Sequence, residues 1–102
     1  MVRINWTHEA KYWLKYIHDY IAECDPFAVQ NVIKGIYAKV GLLESFPESG
    51  YTYAKISNQN IRIILYGHYK IAYLIKDQSS IDILAVIHDK MDINKFMGKL
   101  SN

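Results

Sequence analysis

The sequence has 102 residues, of which 51% are hydrophobic and 22% are charged, and its formal net charge is +2 at pH 7. This length predicts a single domain over residues 1–102, and this hydrophobic content excludes a disordered chain. The mild charge balance argues against a general nucleic-acid-binding protein, and no apolar run is long enough to span a membrane.

The N-terminal residues lack the apolar core of a secretory signal peptide, so we expect a cytoplasmic protein. The single cysteine, Cys24, excludes an intrachain disulfide and a cysteine-based metal site. We expect no metal and no cofactor. The charge is uneven, because residues 1–50 carry five basic and six acidic side chains whereas 51–102 carry seven basic and four acidic ones. An anionic partner is therefore expected to meet the C-terminal half.

Local patterns in the first half predict a short strand and two helices. The segment "VRINW" at 2–6 is typical of a strand. Thr7 has the side chain of a helix N-cap, and the residues after it, 8–23, repeat apolar side chains at helical spacing. The first residue of a helix has no use for its N–H, so Pro26, which lacks one, is suited to that position. It predicts a second helix over 26–45.

After Gly50 the apolar period changes from helical to two. Alternation predicts antiparallel strands at 52–56, 61–66, 69–76 and 81–88, with Gly67 and His68 as a two-residue hairpin loop. A short closing helix is predicted at 92–100, capped by Asp92. The element order predicts an α+β fold, in which an N-terminal strand and a helical hairpin pack on one face of an antiparallel β-sheet, followed by a short C-terminal helix.

The tight loop at Gly67–His68 sets a register for the sheet. In this predicted register, Tyr66 faces Tyr69 and Arg62 faces Tyr73. The next hairpin brings His88 near Tyr69 and Leu84 near Tyr73. The other face then collects mostly apolar side chains: Ile61, Ile63, Leu65, Lys70, Ala72, Leu74, Ile83, Ala85 and Ile87. A slip of one residue would exchange the two faces.

One pair of helices covers only one face of a sheet, so the second face is expected to remain an apolar groove. Monomers rarely expose a large apolar patch. The groove therefore favours a partner protein or a second copy of the chain. The alternative is that the closing helix folds over this face or that the register differs.

The stretch "ILAVIHDKMD" at 83–92 places titratable side chains at the end of a buried strand. His88 has two interpretations: a general base that titrates near neutrality, or a hydrogen-bonded residue that fixes the strand end. Lys90 either contacts a nucleic acid or a target protein, or it pairs with Asp89 or is solvated. Arg62 either binds a phosphate or has a structural role.

An ordered set of short motifs spans nearly the whole chain: "DP.A", "L..FP..G", "IR", "Y.I.Y" and "I..V.HD.MD". This set resembles the RelE/ParE superfamily of type II toxin–antitoxin toxins. The resemblance implies a helical hairpin on an antiparallel sheet. It also implies a growth-inhibiting toxin of the kind linked to plasmid stabilization, bound by an antitoxin that buries its apolar surface.

The superfamily has two branches with different chemistry. The RelE-like branch cleaves mRNA on the ribosome, and it often has Arg at the positions of Lys70 and Lys90 and commonly a Tyr near Phe96. Phenylalanine carries no proton to transfer, and lysine lacks the planar grip of arginine on phosphate. The resemblance is therefore greater to the ParE-like branch, which poisons DNA gyrase.

The resemblance and the sheet pattern together define the candidate residues. If the chain is a nuclease, the catalytic candidates are His88, Lys90, Lys70 and Arg62. The candidates for binding an antitoxin or target are Tyr69, Lys70, Leu74, Ile83, Lys90 and Phe96. The alternatives to a gyrase-directed toxin are a ribosome-dependent mRNA endonuclease and a non-toxic binding or dimerisation module of the same fold.

Overall fold

The computed structural model describes residues 1–56 and 59–88, with the backbone alone at 54–56. In chain order the described elements are β1 Arg3–Trp6, α1 His8–Cys24, α2 Val29–Gly41, a 3₁₀ turn Leu42–Glu44, β2 Tyr51–Ile56, β3 Gln59–Tyr66, β4 Tyr69–Ile75 and β5 Ser80–His88. The predicted closing helix at 92–100 and its cap Asp92 lie outside the described residues.

Thr7 caps α1 as predicted. Its Oγ1 accepts the backbone N–H of Ala10 at 3.1 Å and donates to the carbonyl of Ile83 at 2.7 Å. One hydroxyl therefore satisfies a free N–H of the first helical turn and ties the start of α1 to β5.

The second helix begins at Val29 rather than at the predicted residue 26. The carboxylate of Asp25 accepts the backbone N–H groups of both Phe27 and Ala28 at 3.1 Å. These are the side-chain hydrogen bonds of an N-cap residue, and the backbone N–H of Ala28 also donates to the carbonyl of Asp25 at 3.1 Å, so the four residues after α1 form a turn that leads into α2. At its other end, α2 tightens into the 3₁₀ turn Leu42–Glu44.

The five described strands form one sheet in the order β1-β5-β4-β3-β2. Strands β2 to β5 form the predicted antiparallel meander, and the register of β3 with β4 is confirmed at every pair from Tyr66 with Tyr69 to Arg62 with Tyr73. His88 also pairs with Tyr69 as predicted. β1 pairs parallel with β5, so the complete sheet is mixed. The α+β fold class is confirmed.

A β-bulge changes the second half of the β4–β5 register. Ala72 pairs with Ala85, but the next residue, Tyr73, pairs with Ile83, so Leu84 is an extra residue in β5. Because side chains alternate along a strand, one inserted residue reverses the faces beyond it. The prediction that Ile83 lies on the face away from the helices is therefore wrong: Ile83 is fully buried in the core beneath them.

The sheet has an apolar core on each face. The core beneath the helices joins α1 and α2 to the sheet through Leu14, Ile17, Ile36, Val40, Ile71, Tyr73 and Val86, among others. The other core contains Ile61, Ile63, Ala72, Ala85 and Ile87, each at most 2% exposed. The expectation of an open apolar groove on this second face is therefore wrong. Its centre is already buried within the single chain, where Trp13, Tyr53, Leu74 and Leu84 pack against it.

Two glycines, Gly50 just before β2 and Gly41 at the end of α2, provide a matched test of how tightly the chain packs around Gly50. A Cβ at Gly50 would lie 2.6 Å from the carbonyl oxygen of Ile63 and 2.8 Å from the hydroxyl of Tyr73. Backbone cannot move away cheaply, so Gly50→Ala should lower the free energy of unfolding by about 1–3 kcal/mol. The measurement is urea denaturation followed by circular dichroism.

Gly41→Ala is the control, since no atom lies within 4 Å of a Cβ there and its φ of −58° is helical. Alanine should stabilise this position by up to roughly 1 kcal/mol. Equal effects of the two substitutions would show that the close approach at Gly50 is not a real constraint.

Candidate functional site

Two side chains of the sheet hold the loop that enters β2. The Tyr73 hydroxyl donates to the carbonyl of Pro47 at 2.8 Å and accepts the N–H of Gly50 at 3.0 Å. Arg62 Nη1 donates to the carbonyls of Gly50 at 2.8 Å and Glu48 at 3.2 Å. Of the two interpretations of Arg62, this geometry supports the structural one, because its Nη1 is hydrogen-bonded to two backbone carbonyls.

The same contacts set the ionisation of Tyr73. Its ring is fully buried, and burial raises the pKa of the phenol, because the charged form loses hydration. The N–H of Gly50 and the charge of Arg62 oppose this effect, but the pKa remains above its ordinary value. Tyr73 is therefore a neutral hydrogen-bonding strut and no source of protons near pH 7.

A second polar group lies at the other end of the same strands. The ring of His88 is stacked on that of His68 at a centroid distance of 6.0 Å, and it meets the ring of Tyr69 edge-on at 5.3 Å. His68 belongs to the hairpin loop after Gly67, whose φ of +57° is accessible to glycine at little cost. The hairpin loop and the end of β5 thus bring these three rings together.

The described catalytic candidates do not converge on one point. Arg62 of β3 pairs with Tyr73 of β4, whereas His88 of β5 pairs with Tyr69 of β4. The two pairing positions are thus four residues apart along β4. At ~3.3 Å per residue and ~4.8 Å per strand, the two side chains start roughly 13 Å apart along the strands and about 10 Å apart across them. Acid–base partners must reach the same substrate atoms within about 3 Å, so these two cannot share a reacting phosphate.

Lys70 is separated from His88 by the sheet itself. It pairs with Leu65 and Ile87, and alternation places it on the face away from the helices, whereas His88 follows Val86 on the helix face. Lys90 and Phe96 lie outside the described residues. Arg62, His88 and Lys70 therefore occupy three separate places.

The predicted binding residues are also dispersed. Tyr69 and Lys70 are half-buried on opposite faces of β4, and Leu74 is half-buried against the second core. Ile83 has no exposed surface, so it cannot contact a partner. Exposure of Tyr69, Lys70 and Leu74 is compatible with contact at their edges, and their binding role stays a prediction.

The structure exposes an aromatic stripe that the sequence analysis did not identify. Tyr12, Tyr16 and Tyr20 recur every four residues on α1 and are 63%, 53% and 62% exposed. Trp13 meets the rings of Tyr12 and Tyr16 edge-on at 5.4 and 5.9 Å. The signal was present in the sequence, because these tyrosines stand outside the apolar stripe of the helix. Exposed tyrosines are enriched in protein interfaces.

The described residues offer no site for a metal ion, since no three His, Cys, Asp or Glu side chains cluster there. Nor is either helix of this part of the chain both long and apolar enough to cross a bilayer.

A family model described as "ParE toxin of type II toxin-antitoxin system, parDE" matches residues 4–93. This range covers most of the chain, and the chain therefore belongs to the ParE toxin family. A solved structure titled "Chromosomal ParDE TA system from P. aeruginosa" has the same fold, with a TM-score of 0.69, 17% sequence identity and coverage of 86% of this chain and 96% of that one. No curated protein matches the sequence significantly.

The strut formed by Tyr73 can be tested by removing one atom. Tyr73→Phe keeps the ring in the core but deletes the donor to Pro47 and the acceptor for Gly50. We expect the free energy of unfolding to fall by about 1–3 kcal/mol, the cost of leaving buried partners unsatisfied. Tyr51→Phe is the control, because its exposed hydroxyl has no hydrogen bond among the described residues, and it should change stability by less than ~0.5 kcal/mol. A Tyr73→Phe protein as stable as this control would contradict the strut.

The raised pKa of Tyr73 also predicts a difference in alkaline stability. The unfolded chain loses this proton near the ordinary pKa of 10.0, whereas the folded chain holds it to higher pH. The stabilisation is therefore complete below about pH 10 and is lost as pH rises through the folded pKa. Urea denaturation from pH 8 to 11 should show a steeper loss for the wild type than for Tyr73→Phe. Parallel curves for the two proteins would exclude this linkage.

Proposed function

We propose that this chain is the toxin of a type II toxin–antitoxin module, neutralised by a cognate antitoxin and directed in the cytoplasm against DNA gyrase. The family match over residues 4–93 carries the proposal. The partner implied by a toxin–antitoxin family is a second protein encoded with the toxin. This agrees with the exposed aromatic stripe on α1, a kind of surface that protein partners bury.

The geometry supports gyrase over mRNA as the target. Cleavage of RNA through its 2′-hydroxyl needs a base, an acid and cations around one phosphate. Arg62 is occupied by the loop at residues 48–50 and is separated by roughly 13 Å along the strands from His88. A toxin that binds gyrase needs no such convergence.

The runner-up is a ribosome-dependent nuclease centred on His88. The cluster of His68, Tyr69 and His88 supports it, since it brings two imidazoles and a phenol together at the end of β5, immediately before Asp89 and Lys90 in the sequence. A third possibility is a non-toxic binding module of the same fold. One set of expression and cleavage assays separates the three.

Expression of the chain alone should arrest growth, with filamentous cells and a DNA-damage response, and the purified protein should inhibit supercoiling by gyrase. Ribosome-programmed mRNA should stay intact with the wild type, because a missing acid or base removes a factor of roughly 10² to 10⁴ in rate. The variants His88→Ala and Lys90→Ala are tested in the same mRNA-cleavage assay as the wild type.

Codon-positioned cuts by the wild type that disappear in folded His88→Ala would establish the nuclease instead. Normal growth at confirmed expression would leave only the non-toxic module.

A further inference from the structure

One face of α1 carries two neighbouring rows of exposed side chains. The first is the aromatic stripe, in which 63%, 53% and 62% of the surfaces of Tyr12, Tyr16 and Tyr20 are exposed. The second, the charge row, consists of four exposed residues that also recur every four positions: Lys11, Lys15, Asp19 and Glu23. Each tyrosine stands three residues before a member of the charge row, and residues three apart are neighbours on a helix surface. The two rows therefore form one continuous face.

The order of charges along the charge row is basic, basic, acidic, acidic. Lys15 and Asp19 form an ion pair at 2.8 Å, but their side chains are 76% and 57% exposed, and exposed pairs of this kind stabilise a helix only slightly. Lys11 and Glu23 have no ion-pair partner among the described residues. They also oppose the helix dipole, which favours anions near the N-terminus and cations near the C-terminus. The stability of α1 itself therefore does not explain this order of charges.

A second copy of the chain matches the charge row when its α1 runs antiparallel to the first. Closed twofold dimers are the commonest homo-oligomers, and a twofold axis can cross α1 midway between Lys15 and Asp19. Lys11 of one copy then lies opposite Glu23 of the second copy, and Lys15 lies opposite Asp19 of the second copy. All four charges of each copy thus face an opposite charge, which is the complementarity that specific interfaces show.

The same axis interleaves the two aromatic stripes. It crosses α1 one residue beyond Tyr16, so the tyrosines of the two copies alternate along the contact. At ~1.5 Å per residue, successive rings from opposite copies are offset by roughly 3 Å along the helix axis. This offset lets the rings pack beside one another instead of colliding head-on. The charges and the rings therefore fit one and the same symmetric arrangement.

We propose that α1 is a homodimerisation surface, on which two copies of this chain pair antiparallel through the aromatic stripe and the charge row. This inference does not depend on the proposed function. The rings of Tyr12 and Tyr16 already meet Trp13 edge-on at 5.4 and 5.9 Å. They therefore lose less side-chain freedom on association than unsupported rings would.

The area of this face suits a reversible dimer. An aromatic side chain has roughly 150–250 Å² of surface to bury, so the exposed fractions of the three tyrosines leave roughly 500–900 Å² on two copies together. The apolar stems of the flanking lysines add to this area. The total reaches about 1,000 Å², the lower end for a specific interface, and we therefore expect a Kd in the micromolar range.

Other occupants fit this face less well. A nucleic-acid backbone needs a continuous basic track, and the charge row turns acidic at Asp19. A partner segment of a single charge sign would meet like charges at one end of the row, and these oppose binding. A second copy supplies both signs in the reversed order by symmetry alone.

The test measures self-association of the full chain by sedimentation equilibrium at roughly 1 to 200 µM, a range that covers a micromolar Kd. Two double variants give the charge row a single sign. Lys11→Glu with Lys15→Glu makes it wholly acidic, and Asp19→Lys with Glu23→Lys makes it wholly basic. Each is measured alone and in an equimolar mixture, and circular dichroism checks that each is folded.

The matched control is Arg3→Glu with Lys34→Glu, which changes the net charge as much as the acidic variant does, at exposed residues outside both rows. We expect the wild type and this control to dimerise with Kd values within about twofold of each other. Either double variant alone should raise the Kd at least about tenfold, because like charges then face each other across the axis. The mixture should dimerise again, since every pair in a mixed dimer is of opposite sign.

Tyr16→Ala tests the aromatic stripe without changing any charge, and Tyr51→Ala, at a residue that is 49% exposed outside it, is its control. We expect Tyr16→Ala to raise the Kd at least about tenfold and Tyr51→Ala to leave it unchanged.

Three results would overturn the inference. A wild type that stays monomeric over the whole range would assign the face to a different partner. Double variants that dimerise as well as the control would place the interface elsewhere. Monomeric double variants whose mixture also stays monomeric would exclude the antiparallel pairing of the charge rows.

Discussion

The extra residue in β5 is the constraint on which the rest of the structure depends. Because Leu84 is inserted opposite the step from Ala72 to Tyr73, the residues before and after it point to opposite faces. The bulge turns Ile83 toward the helices, where its side chain is fully buried and its carbonyl receives the hydroxyl of Thr7. The start of α1 is thereby fixed to β5, and side chains of this one strand enter both cores.

The centres of both faces of the sheet are buried within the chain. The buried residues of the second core, which were expected to form an open groove, are at most 2% exposed. Their burial therefore stabilises the fold of the single chain. Exposed aromatic side chains include Tyr12, Tyr16 and Tyr20 on α1, and a groove lies between α1 and α2. The domain thus exposes aromatic side chains on its helices while the core of its sheet stays buried.

The polar residues of the sheet form two separate groups. Tyr73 and Arg62 fasten the loop before β2, and His68, Tyr69 and His88 pack together at the hairpin loop next to the end of β5. Arginine and tyrosine in such a family invite a catalytic interpretation. Here their partners are backbone groups of the chain itself, which explains why residue type alone is a poor guide to chemistry in this fold.

The sequence alone determined the features that depend on near neighbours. Apolar period, the N-cap of Thr7 and the Gly67–His68 loop were enough to predict the helices, the antiparallel strands and the β3–β4 register, and the order of motifs was enough to predict the family. One helix start was misplaced by three residues, since the segment after Asp25 closes a turn through the backbone bond from Ala28 to Asp25 and becomes α-helical only at Val29.

Only the tertiary structure decided which surfaces are open. The run of apolar residues after Asp82 has no alternation, so nothing local marks the bulge that sends Ile83 inward. The parallel pairing of β1 with β5 joins residues 77 positions apart, and Arg62 finds its partners in a loop 12 to 14 residues away. The groove between α1 and α2 likewise exists only when the two helices are packed. Contacts of this range are chosen by packing and hydrogen-bond satisfaction over the whole chain, which a local pattern does not record.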